Sequence, residues 1–103
     1  MAILEGVLLE EIKRLEKNIT SYEQMLLSLP RGTIFIRKMG NSYFVYRKRK
    51  ENGRVLTEYL GNSKDEFAQK QIELSNDYKR IKKNIRTTKS ELVKLRKAYK
   101  AYN

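Results

Sequence analysis

Cysteine, histidine and tryptophan are all missing from these 103 residues, and proline occurs once. Without cysteine there is no disulfide scaffold and no thiol nucleophile; without either cysteine or histidine there is no thiolate or imidazole metal site and no imidazole acid/base chemistry. Long apolar runs are missing too: Glu5, Glu10 and Glu11 break up Ile3, Leu4, Val7, Leu8 and Leu9, so neither a secretory leader nor a membrane span is expected. The five glycines, Gly6, Gly32, Gly40, Gly53 and Gly61, fit no phosphate-binding loop spacing. Glu66, Glu73 and Asp77 have no second acidic cluster with which to form a metal-dependent nuclease centre. A noncatalytic, cytoplasmic chain is expected, with no cofactor, no membrane partner and no small-molecule substrate.

What is present is positive charge: 23 Lys and Arg against 12 Asp and Glu, a net +11. It is unevenly spread. Residues 1–30 carry a net −2, residues 31–60 a net +6 and residues 61–103 a net +7. Such a balance points to an anionic partner.

Periodicity divides the chain at the same places. Leu8, Ile12, Leu15, Ile19, Tyr22, Leu26 and Leu29 alternate steps of four and three, a heptad seam that predicts a helix over 1–29, halted by Pro30. The same steps run from Phe67 through Gln71, Leu74, Tyr78, Ile81, Ile85, Thr88, Leu92, Leu95 and Tyr99 to Tyr102. Ser63 followed by Glu66 forms a capping-box pattern, so a second helix is predicted over 64–101. Residues 8–29 and 67–88 match in length and would face each other, leaving Leu92, Leu95, Tyr99 and Tyr102 for residues 1–7 or for a homodimer partner.

Between the helices, Gly40-Asn41 and Asn52-Gly53 separate three alternating runs over 33–60, a predicted three-stranded antiparallel meander. The expected fold is therefore one α+β domain over 1–103: an antiparallel coiled-coil hairpin with the meander inserted between its helices. Pairing Met39 with Ser42 and Glu51 with Arg54 sets Val45 opposite Leu60 and gathers Ile34, Ile36, Val45, Leu56 and Leu60 on one face, read as core. The other face holds Phe35, Arg37, Phe44, Tyr46, Lys48, Lys50, Val55, Thr57 and Tyr59. Rings among cations suit nucleic acid, because aromatic planes stack on bases while Lys and Arg neutralise phosphates. Aromatic strand residues also occur for propensity alone, and a cationic helix face can be simply solvated.

Arg31 to Gly61, with Gly32, Thr33, Ile34, Arg37, Lys38, Tyr43, Tyr46, Arg47, Asn52, Gly53, Tyr59 and Leu60, resembles the three-stranded arm-binding domain of tyrosine recombinases. There the sheet enters the DNA major groove, which implies contacts from Arg37, Tyr46, Lys48 and Lys50 on one face or from Tyr43, Arg47 and Arg49 on the other. No recombinase catalytic domain is expected with it, so the resemblance carries over no strand-exchange activity. The whole layout, with Leu29-Pro30-Arg31-Gly32 and Tyr59-Leu60-Gly61 bracketing the hairpins, is similar to a group of small proteins of Firmicutes and their mobile elements. The expected function is duplex DNA binding through Arg37, Phe44, Tyr46, Arg47, Lys48, Arg49, Lys50 and Tyr59. The alternative is a protein-interaction or assembly module that oligomerises through its helices.

Overall fold

The computed structural model describes residues 2–102. Its elements run α1 (Ala2–Leu27), β1 (Thr33–Met39), β2 (Ser42–Glu51), β3 (Arg54–Asn62) and α2 (Glu66–Tyr102). The chain is α+β in the order helix, sheet, helix, and the sheet is antiparallel with strand order β1-β2-β3. The expected helix start at Met1 and domain end at Asn103 lie outside the described residues. The chain forms two compact units, one made of residues 29–79 and one of the residues up to Ser28 together with those from Arg80 onward.

In the sheet unit, Met39 pairs with Ser42 and Glu51 with Arg54, as the two-residue loops require. Asn52 and Gly53 both take positive φ, 52° and 77°, the signature of a type I′ turn. The expected pairing of Val45 with Leu60 does not occur. A β-bulge leaves Leu60 unopposed: Tyr46 faces Tyr59, but Val45 faces Gly61. The core is smaller than the aliphatic face, joining Val45, Leu60, Ile34 and, from the start of α2, Ala68 and Ile72. Ile36 and Leu56, expected within it, remain half exposed.

Gly32 and Gly61 bracket the sheet for steric reasons. At φ 115° a Cβ on Gly32 would lie 2.7 Å from the Lys48 carbonyl oxygen, and at φ 125° one on Gly61 would lie 2.8 Å from Asp65 Oδ2. That carboxylate accepts the Asn62 N–H at 3.0 Å, while Asn62 Oδ1 accepts the Lys64 N–H at 3.0 Å. The Asp65 carbonyl then accepts the first helical bond, from Gln69 N–H at 3.0 Å. Asp65 thus holds the N-cap position of α2 in place of the expected Ser63, its carbonyl opening the helix while its carboxylate turns back to the Asn62 N–H, since β3 runs on to Asn62 and the helix starts at Glu66.

In the helical unit, Ile12, Leu15 and Ile19 of α1 are buried with Leu92 of α2, and Leu95 and Tyr99 pack against them. Arg96 and Glu16 approach to 3.7 Å beside this core. The face of each helix follows the heptad seam, but the axial offset does not. Leu92, Leu95 and Tyr99, expected to overhang, pack against Ile12, Leu15 and Ile19 of α1. The steps of four and three repeat along all of α2 and carry no mark of register, and Ala68 and Ile72 are already engaged by the sheet. Phe67, expected in the seam, is 59% exposed. Near its start α1 leaves Ile3 and Val7 exposed. At its other end it stops at Leu27, where Ser28 closes back on the Met25 carbonyl through its N–H at 3.2 Å and its hydroxyl at 2.8 Å, just before Pro30.

Candidate nucleic-acid interface

Strand alternation and the pairing register build the ring face. Phe35, Tyr46 and Tyr59 stand opposite one another, one ring on each strand. Phe35 and Tyr46 stack with centroids 5.2 Å apart and planes 12° from parallel, while Tyr46 and Tyr59 tilt at 5.4 Å. Phe44 adds a fourth ring, 6.2 Å from Tyr59. Phe35 was not among the expected contact residues; its alternation with Arg37 along β1 is the signal that places it here.

Cations flank this row. The Arg37 guanidinium lies 5.8 Å from the Phe35 centroid and 5.6 Å from that of Tyr46, and Lys48 Nζ lies 5.9 Å from Phe35. Such placement holds charge over the ring faces, within the range of cation–π attraction. Lys50 shares the face two residues beyond Lys48 and is exposed, as are Arg37, Lys48 and Tyr59, the last at 57%.

Two of the expected DNA-binding residues lie elsewhere. Arg47 projects from the opposite face, is 7% exposed, donates a hydrogen bond to Gln71 Oε1 of α2 and sits 3.8 Å from Glu58 Oε2. Its buried guanidinium ties sheet to helix, which corrects its expected place among the surface cations. Gln71, one of two polar residues in the seam together with Thr88, is the sequence signal for that partner. Arg49 is on the same side as Arg47 but exposed, paired with Glu51 at 3.5 Å. Among the described residues, no group of three or more Asp and Glu is arranged to hold a metal ion, and no helix is long and apolar enough to cross a membrane.

A basic, aromatic antiparallel sheet capped by one helix defines the class of this unit. The model of a family known as a domain of unknown function, DUF6788, matches residues 5–69, more than half of the chain, and the chain belongs to that family. The match takes in nearly all of α1, the whole sheet and the first turn of α2. No curated protein and no solved structure matches the chain.

Proposed function

We propose that this is a noncatalytic cytoplasmic protein that binds nucleic acid, duplex DNA above all, through the ring face of its sheet. The observation that carries the reading is the row Phe35, Tyr46 and Tyr59 framed by Arg37, Lys48 and Lys50 with no carboxylate on that face. Cations fix the sheet on phosphates, and the rings supply flat apolar area against sugars and base edges. The likeness of Arg31–Gly61 to arm-binding sheets supports duplex DNA as the partner. Arg47 is excluded from the binding set by its burial, and Arg49 by its face.

The test is fluorescence anisotropy of labelled duplex DNA, single-stranded DNA and RNA at about 50 and about 200 mM salt, with wild type and the triple variant R37Q/K48Q/K50Q. The expected result is tightest binding to duplex, weakened in the variant, with a salt dependence shallower by about 0.9 unit of log–log slope for each phosphate no longer neutralised. Equal binding of variant and wild type sinks the reading.

A second reading, assembly through the helices, is favoured by the exposed apolar side chains Ile3, Leu4 and Val7 on α1. Sedimentation of the chain over a range of concentrations checks it: a monomer throughout removes it.

A further inference from the structure

The C-terminal part of α2 carries a second concentration of charge. Lys83, Arg86, Lys89, Lys94, Lys97 and Lys100 are all exposed. At 3.6 residues per turn they fall within an arc of about 140° and extend over about 25 Å of helix. The only carboxylate between residues 80 and 102 is Glu91, which lies outside this arc and close enough to Arg14 of α1 to stabilise its positive charge. None of the six forms an ion pair with another described residue; on the flank of the arc, Arg96 is the cation that Glu16 engages. The opposite side of the helix is occupied, since Leu92, Leu95 and Tyr99 pack with Ile12, Leu15 and Ile19.

We infer that this face of α2 is a second binding surface, for the phosphate backbone of a nucleic-acid duplex. Six unpaired cations in one row favour a ligand with regular negative charge over a comparable length. A duplex presents about one charge per 1.7 Å of axis, denser than a single strand. The six-cation row contains no aromatic side chain, so nothing on it stacks on unpaired bases, and binding is by charge alone. A lipid surface fits less well, because an amphipathic helix adsorbs through its apolar face and here that face is covered by α1. The surface lies beyond the segment matched by the family model and does not require the sheet to bind.

Two full-length variants of equal net charge test the inference: K83Q/K89Q/K94Q/K97Q removes four charges from the face, and K13Q/K17Q/K64Q/K70Q removes four from elsewhere. Lys and Gln have nearly equal helix propensity, and circular dichroism confirms that both variants fold. On a duplex of about 20 base pairs the face variant is expected to lose about 3 units of log–log salt slope, and the control variant less than 1. Combining the face variant with R37Q/K48Q/K50Q separates the two surfaces: if the sheet does not bind, the triple change alone leaves affinity intact while the face variant still lowers it. Equal losses in the face and control variants overturn the inference, since net charge alone then explains binding. It is equally overturned if the face variant loses binding to phosphatidylserine vesicles while its duplex binding is unchanged.

Discussion

The two faces of the sheet are made from the same alternating strand yet use their cations in opposite ways. Arg47 and Lys48 are neighbours on β2. One is buried, bonded to Gln71 and held near Glu58, and the other stands in solvent over the Phe35 ring. What separates them is the cover supplied by α2: Ala68 and Ile72 close over Val45 and Leu60, and a guanidinium entering that zone needs partners because an unpaired buried charge is costly. On the other face Phe35 and Tyr46 are half-buried, Tyr59 is exposed, and the Lys48 and Lys50 side chains beside them stand in solvent. A basic run in a strand is thus two populations, and charge alone does not say which member is structural.

Substitutions on each face should break this contrast by different amounts. Val45 is 0% exposed, so Val45→Asp, which buries a carboxylate with no partner, should cost about 4 kcal/mol and leave the sheet unit unfolded at ambient temperature, as thermal melting would show. Gly32→Ala should cost about 2 to 3 kcal/mol, since the methyl meets the Lys48 carbonyl at a φ that alanine avoids. Arg47→Met keeps the buried stem but strands Gln71, and a loss of about 1 to 2 kcal/mol in a urea titration is expected, with DNA affinity unchanged. Lys48→Met should reverse that pattern, changing stability by less than about 0.5 kcal/mol while weakening duplex binding. If the Arg47 and Lys48 variants behave alike in both assays, the two-face division fails.

The smallest effect concerns α1, where Arg14 donates to Glu11 at 2.9 Å and holds its carboxyl below the ordinary value of 4.5, the hydrogen bond outweighing the opposing loss of hydration. A carboxyl whose folded value is depressed contributes stability that is complete above its ordinary value and disappears as pH falls through the folded one. Both side chains are exposed to solvent, so the contribution is slight. Comparing helix signal from pH 6 down to acid in wild type and Glu11→Gln, the variant should lack this shallow acid loss.

Much of this architecture is legible in the residues. Asn52-Gly53 and Gly40-Asn41 announce both hairpins and their registers, and the steps linking Ile12, Leu15 and Ile19, like those linking Leu92, Leu95 and Tyr99, mark the buried helix faces. The ring face follows from alternation once those registers are set. Three features escape such reading for separate physical reasons. A uniform seam carries no axial marker, so the segment of α2 that meets α1 depends on which residues the sheet takes first. The bulge at Leu60 breaks the period of two, and Gly61 beside it, at φ 125°, reads in the sequence as a boundary residue after the strand and not as part of a bulge within it. Capping depends on where β3 ends, so Asp65 displaces Ser63 at the N-cap once the strand runs on to Asn62.

The single unopposed residue at Leu60 also makes this junction a counting device. Each residue added or removed between Tyr59 and Asp65 turns the start of α2 by about 100° about its axis. One residue fewer would carry Ala68, whose small side chain allows close approach to Val45 and Leu60, away from the sheet, and would move Gln71 out of reach of Arg47. The linker therefore accepts changes of identity at exposed positions such as Lys64 far more readily than a change of length. Where sheet and helix keep their mutual fit, the number of residues between them is as much a part of the structure as any side chain.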